Sequence, residues 1–99
     1  MLYNPVNYVL PDEMVFLTGN YYDDSQGTKT QAFIITNKKL VCAGENSLLI
    51  IPLKQIVAIR SVGIYLSIMT SAGTESVTMY HVNNPMWTDT IAQTIAKLL

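Results

Sequence analysis

The sequence predicts a small, mainly β domain that ends in one α-helix. Down to Tyr80, short apolar segments alternate with short polar breaks, which is typical of antiparallel strands joined by tight turns. The residues after position 83 change to a helical period. The chain has 99 residues, of which 49% are hydrophobic and 13% charged. That length supports one domain with one hydrophobic core, and that composition excludes intrinsic disorder.

The chain is expected to begin with a lead-in segment, residues 1–12, because Pro5 and Pro11 discourage regular structure there. The first predicted strand is Glu13–Tyr22. A polar loop follows it, and the second predicted strand is Thr28–Thr36.

The second and third strands are expected to form a hairpin. Residues Thr36–Lys39 predict its tight turn, because Asn37 tolerates positive φ and lies between two apolar runs. The third strand is Leu40–Ala43 and the fourth, after a polar break, is Ser47–Ile51. Pro52 marks a sheet edge or a bend, because proline cannot donate to a strand ladder.

Three more strands follow. They are expected at Gln55–Ser61, Ile64–Thr70 and Glu75–Val82, with Gly63 as the first interruption and Ser71–Thr74 as a hairpin loop. The strand at Ile64–Thr70 alternates apolar and polar residues, which is the pattern of a half-buried strand.

The C-terminal residues 84–99 predict a helix that caps the sheets. Asn84 is a good N-cap, and Pro85 suits the first helical position. An isolated helix of this length is marginal in water, so it must dock on the sheet. The predicted core comprises Phe16, Phe33, Ile35, Leu40, Ile56, Ile64, Leu66, Ile68, Val77 and the helical stripe Trp87, Ile91, Ile95 and Leu98.

The net charge limits the classes of partner that the chain is expected to bind. Six Lys and Arg residues against seven Asp and Glu give a formal charge of −1. Nucleic-acid-binding domains usually carry a strongly basic face, so no nucleic-acid partner is expected.

The single cysteine, Cys42, cannot form an internal disulfide. This fits a reducing compartment, and no signal peptide is recognised at the start of the chain, so the expected location is cytoplasmic. Cys42 lies among apolar residues in the third strand and is expected to be a small buried hydrophobe.

The sequence contains no recognisable catalytic or metal-binding motif. It has no G-x-S-x-G elbow and no P-loop, and its single histidine, His81, has no metal ligands at suitable spacing. We therefore expect a protein that is not an enzyme and that uses no cofactor.

Four segments carry a family resemblance: Phe33–Val41, Ile51–Ile56, Gly63–Ile68 and the helix Trp87–Leu98. In order and spacing they resemble bacterial pleckstrin-homology (PH)-like domains and the related GRAM domains, which share an L-T-N-K-R-L hairpin and an I-P-L-x-x-I segment. The chain departs from that pattern at Lys39, where the family more often has Arg, and in its first hairpin loop.

The resemblance implies a seven-stranded antiparallel barrel or orthogonal sandwich, capped by the helix, over residues 1–99. PH-like folds commonly take a protein or peptide in the groove between an open sheet edge and the helix, by strand addition. A bacterial protein-interaction module is therefore the first hypothesis. Self-association belongs to it, because open strand edges can pair with each other.

The alternative is weak peripheral binding to anionic membrane lipids through Lys38, Lys39, Lys54 and Arg60. Each lysine near such a surface contributes only about 1 kcal/mol, so this binding would be weak. The first hairpin loop carries Asp23 and Asp24 where phosphoinositide-binding PH domains carry cations, and two carboxylates would repel a phosphorylated headgroup.

One aromatic residue is a candidate for a protein contact. If the apolar residues of Ile64–Thr70 point inward, Tyr65 points outward next to Met69, and exposed Tyr and Met are favoured at interfaces. A third hypothesis, a small enzyme or a ligand carrier, would require a sizeable pocket inside the barrel.

Overall fold

The computed structural model describes residues 5–22, 24–26, 29–45, 47–80 and 87–99. Within these residues the fold is mainly β with one C-terminal α-helix, as predicted. The elements are β1 Val15–Tyr22, β2 Thr30–Thr36, β3 Lys39–Ala43, β4 Leu48–Pro52, β5 Ile56–Val62, β6 Tyr65–Thr70, β7 Gly73–Thr78 and α1 Trp87–Leu98, with 3-10 turns at Pro5–Tyr8 and Leu53–Gln55.

The strands form two antiparallel sheets. One has the order β1-β2-β3-β4 and the other the order β5-β6-β7. A bridge between Tyr22 and Tyr80 joins them, with reciprocal backbone hydrogen bonds of 2.7 and 2.8 Å. The sheets are not closed into a barrel, because β4 and β5 are not paired and this bridge is the one ladder contact between the sheets among the described residues.

The hydrophobic core lies between the two sheets and the helix. Ile91 and Ile95 of α1 are fully buried there, and the Trp87 ring meets the Phe33 ring edge-on with centroids 5.2 Å apart. The Thr88 hydroxyl donates to the Gly63 carbonyl at 2.6 Å, which fixes the start of the helix against the β5–β6 turn. The other members of the core are Tyr21, Ile35, Leu40, Cys42, Ile51, Leu53, Ile56, Leu66, Ile68 and Met79.

One predicted core residue is wrong. Phe16 is 47% exposed, because the β1–β2 register shifts between Val15 and Leu17 and it is Leu17 that packs against the core. A single extra residue in a strand reverses which side chains face inward. Ile64, also predicted to be core, is only partly buried.

The turn after β5 agrees with the prediction. Gly63 has φ 59°, a left-handed conformation that glycine adopts without steric cost, and the chain reverses there into β6. The last strand begins at Gly73 rather than at Glu75. The predicted positions Thr28 and Val82, the helix start at Asn84 and Pro85, and His81 all lie outside the described residues.

The four-stranded sheet is apolar on its outer face as well. Ile34 and Val41 are cross-strand partners on the face opposite the core, and both are buried. The 3-10 turn Pro5–Tyr8 contacts β2 and β3 and covers this part of the face. Residues 5–14, called here the N-terminal segment, therefore form a third layer over the sheet.

The close approach of helix and sheet at Gly19 leads to a first prediction. A Cβ at this position would lie 2.9 Å from Phe33 Cε1 and 2.9 Å from Trp87 Cζ2, and these rings are held in the core. We expect Gly19→Ala to lower the free energy of unfolding by about 1–3 kcal/mol, measured by urea denaturation with tryptophan fluorescence.

The control for Gly19→Ala is Asn20→Ala, which places the same residue at the next, exposed position of β1. It should alter the free energy of unfolding by no more than about 0.5 kcal/mol. Equal stability of the Gly19→Ala protein and the wild type would mean that the rings do not approach β1 this closely.

Candidate functional site

Three of the predicted binding residues meet at one groove. Lys38, Lys39 and Lys54 line a surface groove of about 400 Å³ beside the β2–β3 turn. The remaining lining residues are Leu10, Glu13, Asn37, Pro52 and Leu53. The groove is thus formed by the N-terminal segment, the β2–β3 turn and the end of β4.

Hydrogen bonds to side chains hold the turn in place. The Thr36 hydroxyl oxygen accepts from the backbone N–H groups of Lys38 and Lys39, each at 3.1 Å. Asn37 joins the turn to the N-terminal segment: its Oδ1 accepts from Met14 N–H at 2.7 Å, and its own N–H donates to Met14 O at 2.9 Å. The lysines are therefore presented from a fixed backbone.

The positive charge of Lys39 is paired with the buried carboxylate of Glu13. The Glu13 side chain is 1% exposed and lies 3.0 Å from Lys39 Nζ, whose side chain is 16% exposed. Glu13 also accepts from Leu10 N–H at 2.7 Å and from the Thr36 hydroxyl at 2.8 Å. Burial raises the pKa of Glu13, but these hydrogen bonds and the Lys39 charge outweigh it, and the pKa lies below its usual value.

Lys38 has a partner in the same segment. Its Nζ lies 2.6 Å from Asp12 Oδ2, and both side chains are exposed. The hydrogen bond from Lys38 lowers the pKa of Asp12, and the same bond raises the pKa of Lys38. An exposed pair of this kind contributes little to stability. Of the three lysines, Lys54 alone has no ion pair among the described residues.

Arg60 and Tyr65 lie elsewhere. Arg60 pairs with Ser67, and Tyr65 pairs with Val62, in the β5–β6 ladder of the other sheet. Tyr65 is exposed, as predicted, and so is Met69 further along the same face of β6. The structure therefore does not bring these two residues into the lysine groove.

Among the strands that the structure describes, β4 is paired on one side only, and two hydrogen bonds show which of its backbone groups face β3. At its start Gly44 N–H donates to Ser47 O at 2.9 Å, and just beyond its end Leu53 N–H donates to Lys38 O at 2.8 Å. Both bonds run toward the β3 side of the hairpin. Residues of an antiparallel strand alternate between facing their neighbour and facing away.

The backbone N–H and C=O groups of Leu49 and Ile51 are thus directed at β3, and those of Leu48 and Ile50 are directed at the free edge. Pro52 also falls on the free side, where its missing N–H costs no ladder bond. The side chains of Leu48 and Ile50 are 50% and 42% exposed. The edge thus offers unpaired backbone groups beside apolar side chains.

The other three edge strands are protected in ways that β4 is not. Strand β1 has a bulge and is bridged to Tyr80. Strand β5 also has a bulge, carries the charged Arg60 and packs against α1. Strand β7 carries the charged Glu75. Charges, bulges and covering elements are the usual devices against edge-to-edge pairing. β4 has the sequence LLIIP, and its extensive contacts within the described residues are with β3 alone.

The buried cysteine lies at the base of a cleft between the sheets. The cleft has a volume of about 370 Å³ and opens to solvent past Ser47 and Glu75. At its wall the Tyr21 hydroxyl and Gln31 Oε1 are 2.8 Å apart. Cys42 is buried, as predicted, and burial raises its thiol pKa to about 12. A thiol in this state is a poor nucleophile at neutral pH.

The described residues contain no group of three or more His, Cys, Asp or Glu side chains that could hold a metal. They also contain no helix long and apolar enough to cross a membrane. The first hairpin loop is described only in part, at residues 24–26 and 29, so the expected effect of Asp23 lies outside the described residues.

Sequence reasoning missed two features of the site. Asp12 and Glu13 were not assigned to the lysines, because they are far from them in sequence and only the fold brings them together. The edge residues Leu48 and Ile50 did leave a signal. Four apolar residues in succession at positions 48–51 lack the alternation of a half-buried strand, which indicates a strand that is apolar on both faces.

Comparison with known proteins does not assign the chain to a family. No protein-family model matches the chain, and no curated protein matches it.

The Glu13 network leads to a second prediction. Glu13→Gln removes the negative charge beside the partly buried Lys39, so we expect the free energy of unfolding at neutral pH to fall by about 1–3 kcal/mol. The matched control is Asp12→Asn, which should have a much smaller effect because its ion pair is exposed.

The pH dependence tests the same network. The folded pKa of Glu13 lies below the usual 4.5, so its stabilisation is present above that pH and is lost as the pH falls through the folded value. The stability difference between wild type and Glu13→Gln should therefore shrink in acid. A difference that stayed constant down to strongly acid pH would contradict an ionised, hydrogen-bonded Glu13.

Cys42 leads to a third prediction. Because the folded thiol is buried and protonated, its alkylation by iodoacetamide at pH 8 should be slow and should accelerate with urea in parallel with global unfolding. Above pH 9, where an unfolded cysteine ionises, stability should fall with rising pH. Rapid alkylation of the native protein would contradict this burial.

Proposed function

We propose that this chain is a non-catalytic binding module that holds a protein partner by strand addition along β4. The observation that supports it most is the free edge of β4. There the N–H and C=O groups of Leu48 and Ile50 face no other strand of the described residues, and the two apolar side chains are exposed beside them. Strand addition supplies hydrogen bonds from the backbone and specificity from alternate side chains.

We also propose a PH-like architecture for the fold. A four-stranded sheet, a three-stranded sheet and a terminal helix follow each other in the order that the resemblance implies. The Phe33–Val41 segment forms the β2–β3 hairpin, and Ile51–Ile56 forms the 3-10 connection between the sheets. These agreements support the proposal, although the sheets are not closed into a barrel.

The proposed binding edge differs from the groove between edge and helix that the resemblance implies. Helix α1 packs on β5, β1 and β6, and it ties itself to the β5–β6 turn through Thr88. The helix therefore occupies the side of β5, and the free edge is β4. We expect the partner strand to pair with β4 and to cover Leu48 and Ile50.

The edge also constrains the chemistry of the partner. A paired strand must place apolar side chains against Leu48 and Ile50, on the same face as the buried Ile34 and Val41. It cannot continue as a regular ladder beyond Pro52, which offers a carbonyl and no N–H. The fitting partner is thus a short extended segment with apolar residues at alternate positions.

Binding to anionic membranes is a second proposal, favoured by the gathering of Lys38, Lys39 and Lys54 at one groove. The carboxylates of Asp12 and Glu13 weaken it, because they leave a local excess of about one positive charge. Salt-sensitive sedimentation with anionic vesicles that is lost in the double variant Lys38→Glu, Lys54→Glu would favour this alternative over strand addition, because these two exposed changes leave the buried Glu13–Lys39 pair intact.

The strand-addition proposal leads to a fourth prediction. Random linear peptides displayed on phage and selected against the wild-type protein should converge on extended segments with alternating apolar residues. Their affinity should fall at least about tenfold for the double variant Leu48→Lys, Ile50→Lys. Hydrogen exchange should show new protection of the Leu48 and Ile50 amides in the complex.

The matched control is Val57→Lys with Val62→Lys, two exposed valines of edge strand β5. These changes should leave peptide affinity unaltered. Selection of no peptides, or of peptides whose binding depends on the β5 variants and not on the β4 variants, would refute the assignment of β4 as the binding edge.

A further inference from the structure

We infer that the strand that pairs with β4 is β4 of a second copy of this chain, which gives a two-fold symmetric dimer with one continuous eight-stranded sheet. This inference rests on the proposed strand addition at β4 and names its partner. Three features of the edge support it: its backbone pattern, its apolar face and the charges at its two ends.

The backbone pattern of β4 is complementary to itself in an antiparallel arrangement. If Leu48 of one copy lies opposite Ile50 of the other, each of these residues both donates and accepts a hydrogen bond across the edge. The two-fold axis then passes beside Leu49. The proline falls outside the paired region, so every N–H that this edge offers between Leu48 and Ile50 finds an acceptor.

The exposed side chains of the β4 edge are also compatible with this pairing. Leu48 and Ile50 of both copies would lie on one face of the joined sheet, next to the buried row formed by Ile34 and Val41. The edge strand itself carries no charge that would repel an identical strand. Like charges directly opposite each other are the usual obstacle to such a pair.

The charges that flank β4 have opposite signs at its two ends. Glu45 precedes the strand in the β3–β4 loop, and Lys54 follows it in the 3-10 turn; both are exposed and neither has an ion pair among the described residues. An antiparallel pair sets the start of one strand beside the end of the other. The pairing therefore brings the turn that carries Glu45 of each copy toward the 3-10 turn that carries Lys54 of the other.

The dimer should be reversible. An edge of five residues buries less than the ~1,200 Å² of a standard interface. We therefore expect a monomer–dimer equilibrium in the micromolar to millimolar range, which is accessible to sedimentation equilibrium. At high concentration the Leu48 and Ile50 amides should become protected from hydrogen exchange.

The charges provide the decisive experiment. Glu45→Lys and Lys54→Glu should each raise the dimer dissociation constant about tenfold, because two attractions per dimer become repulsions. The double variant with both charges reversed should recover most of the wild-type affinity. Lys97→Glu, a charge reversal on α1 and away from this edge, should have no effect, and circular dichroism checks that every variant is folded.

The possible outcomes separate this inference from the function on which it rests. A wild-type protein that is monomeric at every concentration, or a dimer that is indifferent to the Glu45 and Lys54 reversals, overturns the inference. If selected peptides still bind such a monomer through Leu48 and Ile50, strand addition stands and the partner is a different protein. If neither peptides nor a second copy use β4, both proposals fail.

Discussion

The buried carboxylate of Glu13 fixes the relation between the N-terminal segment and the four-stranded sheet. It joins Leu10, Thr36 and Lys39 in one hydrogen-bonded network, so it connects the start of the chain with the β2–β3 turn. The segment held in this way covers the outer face of β2 and β3. Without that cover, Ile34 and Val41 would be exposed on a sheet whose other face already forms the core.

The same hydrogen-bonded network affects which surfaces of the protein could bind a partner. By pairing with Lys39, Glu13 removes much of the positive charge from the groove, and Asp12 does the same at Lys38. Among the described residues, this cover leaves the outer residues Leu48 and Ile50 of β4 exposed. The surface therefore loses much of its attraction for anions and keeps an apolar strand edge, which is why we propose protein binding rather than lipid binding.

Local sequence patterns predicted most of the fold, because each strand and turn depends on residues close to it in the chain. They failed where a tertiary contact decides the outcome. At Phe16 a bulge reverses the inward and outward positions, and no local pattern marks it. The Lys38–Asp12 ion pair joins residues 26 positions apart, so no local sequence pattern indicated that Lys38 has a carboxylate partner.

The inner and outer residues of β4 are apolar for different reasons. Its inner residues Leu49 and Ile51 serve the core, and this requirement explains their hydrophobicity. Leu48 and Ile50 have no such role, yet they are equally apolar, and a lysine at either position would have protected the edge without loss of a ladder bond. Pro52, rather than a charged residue, limits the length of this edge. An edge that is limited in length but left apolar is expected of a strand that pairs with a defined, short partner.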